Sequence, residues 1–249
     1  MLYFLRAVYL LIHFLAVCTY AVIYCLIFPR RLNNTSKLAR MMSWAIPVIG
    51  IKLIHKNKSP LPISQPGIYV SNHQHTLDLF LHPSIMPDNM AILGKSGLRY
   101  VPIFGLAFWL AGNIFINRSD KAKARATMTE VSKVVLKRGN SLYMFPEGTR
   151  SRGKGLLPFK PGAFAMAIES GLPIVPVVFS TIHTHVDFGR WKAGIVMAEF
   201  LAPIDTQGMT QADIKTLLDQ TREAIKAGIE RLDQEVIALQ NKDNYQRTK

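Results

Sequence analysis

Ile68-Tyr69-Val70-Ser71-Asn72-His73-Gln74-His75-Thr76-Leu77-Asp78 decides the architecture, because the chain changes character in its middle. Ile68 to Ser71 is a short β-forming run that follows a loop rich in Pro, Ser and Asn, and it reads as a strand. A helical pattern starts near Thr76 and continues through 77–86. Five residues apart on one regular helix, His73 and Asp78 would diverge by about 140°. With His73 at the strand end or in the turn, and Asp78 in the first turns of the helix, they meet.

The same alternation extends outward. Short apolar runs at 90–93, 113–116, 141–145, 174–179 and 195–200 read as strands. Residues 120–137 carry Met128, Val131, Val134 and Val135 at helical spacing, with Asp120 near the start and Gly139 just past the end. A helix at 164–169 is closed by Gly171, and 210–240 forms a long amphipathic helix before a polar tail. This alternation predicts an α/β fold, a mixed sheet covered by helices. The expected division is 1–56 as a membrane-embedded or interfacial helical segment, 57–209 as the α/β domain, and 210–249 as a C-terminal helix and tail. Residues 100–112, very apolar but interrupted by Pro102 and Gly105, read either as a core helix or as a wall that shelters a hydrocarbon chain.

Composition points to lipid. The 249 residues carry 30 Lys+Arg against 16 Asp+Glu, a formal +14, with 49% apolar content and positive mean hydropathy. The basic residues are scattered and form no stripe with exposed aromatics, so an anionic membrane surface is the expected partner and nucleic acid is not. Residues 7–28 lack any charge, close to the length that crosses a hydrocarbon core. Arg30, Arg31, Lys37 and Arg40 follow, which by the positive-inside rule places the remaining chain on the cytoplasmic face of the inner membrane. Residues 41–54, broken by Pro47 and Gly50, read as an interfacial helix. On this reading, removing residues 1–31 weakens membrane association and leaves the later blocks intact. Cys18 and Cys25 both lie in the apolar segment, about 10 Å apart along a helix, too far for a disulfide.

Four blocks stand out: Asn72 to Asp78, Gly112-Asn113-Ile114-Phe115-Ile116-Asn117-Arg118, Phe145-Pro146-Glu147-Gly148-Thr149-Arg150-Ser151, and Leu172-Pro173-Ile174-Val175-Pro176. His73 suits a general base, and Asp78 would fix its tautomer and steady the imidazolium. No serine sits in a nucleophile elbow, so direct attack by an acceptor is favoured over a covalent intermediate. In content, order and spacing the blocks resemble the glycerolipid acyltransferase family, in particular the bacterial 1-acyl-sn-glycerol-3-phosphate acyltransferases. The resemblance spans roughly residues 65 to 180. It implies acyl transfer from acyl-CoA or acyl carrier protein to the sn-2 hydroxyl of lysophosphatidate, without a cofactor. It assigns Glu147, Gly148, Thr149 and Arg150 to acceptor binding, and Arg118 and Lys95 more loosely to the phosphate. Lys160 is a further candidate for a ligand contact. A sister activity on another lysophospholipid or on glycerol 3-phosphate is the nearest alternative. Two readings belong to other classes: a metal-dependent hydrolase using His73/His75 and His183/His185 as strand-end ligand pairs, and a non-catalytic lipid-binding protein.

Overall fold

The computed structural model describes residues 1–62, 64–117, 131 and 137–247, with side chains described as far as residue 242. Its strands are β1 (Ile51–His55), β2 (Ile68–Ser71), β3 (Met90–Lys95), β4 (Ile114–Ile116), β5 (Ser141–Met144), β6 (Ile174–Phe179) and β7 (Gly194–Phe200). Its helices are α1 (Leu2–Ile27), α2 (Asn34–Ser43), α3 (Ala45–Val48), α4 (Asp78–Leu81), α5 (Phe104–Leu110), α6 (Gly162–Ser170), α7 (Ile182–His185) and α8 (Ile214–Arg247). The described strands form one sheet in the order β1-β7-β6-β2-β5-β3-β4. All neighbours pair in parallel except β6 and β7, so β1 and β7 run against the other five. The sheet is mixed and covered by helices, as expected.

Both faces are covered, and that is why the central strands are apolar throughout. Alternation sends Tyr69, Tyr143, Val175, Val177 and Phe179 to a cluster shared with α1, α2 and α5. Ile68, Val70, Leu142, Met144, Ile174 and Val178 face the opposite cluster beneath α6 and α8. Helix α8 buries Leu217, Ile225, Leu232 and Val236 there, and Gly228 lets it approach Val178 closely, where a Cβ would stand 2.9 Å from Cγ2. A capping box of Thr210 and Asp213 starts the turn that leads into it.

Three expectations change. Residues 41–54 do not form one interfacial helix. Helix α2 ends at Ser43, α3 is a single turn, and Gly50 then reverses the chain into edge strand β1, which pairs with β7 from Ile51↔Gly194. Gly50 has φ +81° and its missing Cβ would lie 2.1 Å from the Trp191 carbonyl oxygen, so only glycine makes that turn. The sheet therefore begins before residue 57. The helix read over 77–86 is shorter: α4 gives way to a 3-10 turn, His82–Ser84, with Pro83 at its start. The expected helix at 120–137 and Arg118 lie outside the described residues.

The third change concerns α1. It is apolar all round, with mean hydropathy 2.3 over its most apolar eighteen residues. One face nevertheless belongs to the domain, because Val17, Cys18, Ala21 and Cys25 are buried against α2 and α5. Polar ties hold it along its length. Arg6 donates to the Phe188 and Trp191 carbonyls at 2.8 and 2.7 Å, His13 Nε2 lies 2.9 Å from the Met41 carbonyl, and just past the helix the Arg30 N–H donates to Leu110. The segment packs as a wall of the domain, which argues against the expectation that it can be removed without harm to the rest.

Candidate active site

β2 ends at Ser71 and α4 begins at Asp78, which leaves His73 in the turn and Asp78 at the head of the helix. His73 Nδ1 lies 2.6 Å from Asp78 Oδ2. The same oxygen accepts the Gln74 and His75 backbone N–H groups at 2.7 and 3.0 Å. Burial works to raise the Asp78 carboxyl, yet the His73 bond, the imidazoles of His82 and His73 and the His75 N–H hold it below the ordinary carboxylate range. With an ionised carboxylate on Nδ1, that nitrogen carries the ring proton and Nε2 is left as the acceptor.

The turn is braced from both sides. Asn72 exchanges two bonds with the Phe179 backbone at the end of β6, and Gln74 bonds the Phe179 and Ser180 carbonyls and the Ile182 N–H. From β5 comes the Phe145-to-Ser151 block. Phe145 stacks on the His73 ring with centroids 4.0 Å apart and planes at 16°, which limits the ring to one orientation. Ser151 and Arg152 donate backbone N–H bonds to the His73 and Gln74 carbonyls.

Glu147 is spent on the same task. One carboxylate oxygen accepts the His73 N–H at 2.6 Å and the other the Leu157 N–H at 3.0 Å, in a buried position that does not line the cavity. Burial pushes its carboxyl up to about 7, the two N–H groups pulling the other way. A carboxyl raised above its unfolded value keeps its proton longer in the folded state, so this group's contribution falls as pH rises from about 4.5 to about 7. Glu147→Gln is expected to flatten that fall. It sets an amide NH₂ against one N–H donor, and should cost about 1–3 kcal/mol at acidic pH. Denaturation midpoints of the two proteins across that pH range check both effects.

Beyond His73 opens a cavity of about 500 Å³. Its walls are apolar: Phe14, Val17, Cys18 and Ala21 from α1, Leu38 and Met42 from α2, Leu93 from β3, and Phe104, Ala107 and Phe108 from α5. The 100–112 stretch thus serves both as a packed helix and as a cavity wall. Thr35 and Asn113 also line it; Thr35 donates to Asn113 Oδ1 at 3.0 Å, and Asn113 in turn accepts the Ile92 N–H. The mouth is cationic: Lys95, Arg150 and Arg152 line it together with Gly148 and Thr149. Arg150 Nη1 lies 3.4 Å from Thr76 Oγ1.

Most of the expected residues converge, then, with three distinctions. Lys95, Gly148, Thr149 and Arg150 line the cavity beside His73 and Asp78, Glu147 stands behind them, and Arg118 is outside the described residues. Lys160 packs against Gly148, where a Cβ would stand 2.8 Å from its Nζ. Sequence reasoning missed Phe145 as the ring support, Arg152 at the mouth and His82 behind Asp78. Arg152, two residues after Arg150 in the same turn, was the one within reach of the motif.

The strand-end geometry of the metal reading does not form. His183 and His185 lie on the single turn α7, with His185 buried beside Asp233 (Nε2 to Oδ1 3.2 Å) and His183 exposed against the His75 ring.

A tautomer-fixed imidazole beside an apolar cavity with a cationic rim is an arrangement suited to taking a proton from an acceptor beside a lipid chain. Comparison with known proteins gives the family. Residues 52–180 match the model of the Acyltransferase family. The 1-acyl-sn-glycerol-3-phosphate acyltransferase of Escherichia coli (strain K12) is 37% identical over 236 residues, covering 95% of this chain and 96% of that protein. The human 1-acyl-sn-glycerol-3-phosphate acyltransferase alpha is 35% identical over 217 residues, 85% of this chain and 75% of that one. The crystal structure of the 1-acyl-sn-glycerophosphate (LPA) acyltransferase of Thermotoga maritima shares the fold, with TM-score 0.69 and 23% identity over 93% of this chain and 98% of that one. The chain belongs to the acyltransferase family.

Proposed function

We propose that the protein transfers an acyl group from an acyl thioester, acyl-CoA or acyl carrier protein, to the sn-2 hydroxyl of 1-acylglycerol 3-phosphate, giving phosphatidate. The observation that carries this reading is the His73–Asp78 pair set between an apolar cavity and a cationic mouth. The acceptor hydroxyl gives its proton to His73 Nε2 as its oxygen attacks the thioester carbonyl. Asp78 steadies the imidazolium that results, and the tetrahedral adduct collapses with loss of the thiolate. The phosphomonoester sits against Arg150, Arg152 and Lys95, guanidinium forks being suited to phosphate oxygens. The relatives' names support this acceptor. Purified protein assayed with a labelled acyl thioester against lysophosphatidate, other lysophospholipids and glycerol 3-phosphate tests it, and a preference for an acceptor without a phosphomonoester would overturn it.

Arg150→Ala is expected to raise the KM for lysophosphatidate at least tenfold with a smaller change in kcat, since the phosphate is held in ground and transition states alike. Lys at this position should restore only part, lacking the bidentate fork. Ala111→Leu, beside Thr35 and Asn113, should shorten the longest acyl chain accepted, each excluded methylene being worth roughly 1–3 kcal/mol. Competition between thioesters of different lengths reads this directly.

The proposed seat is one leaflet of the inner membrane, on its cytoplasmic face. A helix tied to the domain near both ends cannot cross the bilayer alone without drawing the polar domain with it. Its outward face, with Leu11, Ile12, Ile23 and Leu26, is exposed, and Trp44, Trp109 and Trp191 are exposed on neighbouring segments, as side chains at headgroup depth are. Arg30 and Arg31 lie over the rings of Trp109 and Phe28 at its C-terminal end.

A further inference from the structure

Asp78 carries an uneven load. Among the described residues its Oδ2 accepts three bonds, whereas Oδ1, also buried, accepts none. A buried carboxylate oxygen without a donor is costly, and such exceptions need a reason. The nitrogen that faces it is His82 Nε2 at 3.8 Å, itself buried and without a hydrogen-bond partner among the described residues. Four residues separate the two on α4 and the turn that continues it, so both side chains share one face. The pair is two orphaned groups aimed at one another, slightly too far apart to bond.

The rest of His82 is fixed. Nδ1 lies 2.7 Å from the Tyr143 hydroxyl. The ring packs on Phe179 at 4.0 Å and edge-on against Phe145 at 4.9 Å, the same Phe145 that stacks on His73. Burial drives the His82 pKa down to about 4 and holds the Tyr143 phenol protonated. A phenol proton given to Nδ1 leaves the single imidazole proton on Nε2, directed at Asp78 Oδ1. The neighbouring Phe145 and Phe179 show that the pocket accommodates aromatic hydrocarbon, so packing alone does not call for an imidazole.

We infer that His82 is a positioning residue for acyl transfer: its Nε2–H faces Asp78 Oδ1 and holds the carboxylate in the plane that His73 needs, extending the relay to His73–Asp78–His82–Tyr143. The inference rests on His73 as the base. No proton leaves His82. The acceptor's proton goes to His73 Nε2, the Nδ1 proton stays between His73 and Asp78, and the His82 donor stops the carboxylate from rotating about its one pinned oxygen. With the carboxylate held in one plane, the imidazolium that forms on His73 keeps its partner, so loss of His82 falls on turnover rather than on substrate binding.

His82→Phe and His82→Gln in the full chain test this. Phe fills the pocket without a donor, and Gln can return an N–H near the Nε2 position. For His82→Phe the expected result is a denaturation midpoint close to wild type, KM values for both substrates within about twofold, and kcat about tenfold lower. His82→Gln should recover most of that loss. In a His73→Ala background, His82→Phe should cost nothing further, because the two act as one unit. Wild-type kcat in His82→Phe overturns the inference, as does an equal loss in Phe and Gln with lowered midpoints, or an undiminished loss in the His73→Ala background. If His82→Phe does not fold, His82→Leu serves the same comparison with Gln. Wild-type turnover in His73→Ala alone would instead sink the base assignment, so the two failures are distinguishable.

Discussion

His73→Ala is expected to lower turnover by about 10²–10⁴-fold, the usual worth of a positioned general base. The side chain makes few contacts that the fold needs. Its ring is partly exposed at the cavity mouth, and the turn is held by backbone and neighbouring groups: Glu147 on the His73 N–H, Ser151 on its carbonyl, and Asn72 and Gln74 on β6 and the residues just beyond it. The denaturation midpoint should therefore move little, and both KM values should stay close to wild type. Asp78→Asn should also lose turnover but with a cost in stability. The Oδ2 atom accepts three N–H donors, and an amide rotated to keep its oxygen there presents its NH₂ to the unpartnered Oδ1 position. Steady-state kinetics on the purified variants, with midpoints measured in the same detergent, separates the two patterns. Wild-type turnover in His73→Ala would remove the base assignment.

How much of this was legible depends on what kind of signal each feature leaves. The His73–Asp78 meeting was legible because it follows from a local change of period, strand to helix, inside eleven residues. The sheet's composition from short apolar runs was legible for the same reason. Its strand order was not. The antiparallel step lies between β6 and β7, and β1 pairs with β7 across some 140 residues of chain, where nothing in the local pattern carries the pairing. β1 itself was hidden because Ile51-Lys52-Leu53-Ile54-His55 continues an apolar stretch, and five residues are too few to establish a period. The acyltransferase motif drew attention to Glu147 as a ligand contact, but whether its carboxylate faces a ligand or the chain behind it depends on the path of the loop to Leu157. His82 left no signal: a histidine before a proline at a helix end reads as surface, and only the packing of β5 and β6 turns it inward.

Deleting residues 1–28 is expected to abolish activity and leave a protein that aggregates, rather than to release a working soluble domain. Val17, Cys18, Ala21 and Cys25 are part of the same cluster as Tyr69, Tyr143 and Phe179 beneath the sheet. Phe14 to Ala21 also form one wall of the cavity, so its loss opens the acyl site to solvent. Removing four buried side chains at about 25 cal/mol per Å² of apolar surface already removes several kcal/mol, which is comparable to the whole stability of an ordinary domain. The deletion also strands groups that α1 now satisfies, because the carbonyls of Phe188 and Trp191 lose the Arg6 guanidinium. A gentler variant isolates the membrane contribution. Replacing exposed Leu11, Ile12 and Ile23 with Gln keeps the buried face and the Arg6 ties. That protein should fold, keep its denaturation midpoint in detergent, and leave membranes under high salt or carbonate where the parent needs detergent. Its activity on a water-soluble short-chain acceptor should persist. Were the 1–28 deletion to remain soluble and active, α1 would be an appended anchor and the cavity would be walled by the remaining elements alone; were the triple-Gln protein to stay membrane-bound against carbonate, the outward face of α1 would not be the surface that holds the protein in the leaflet.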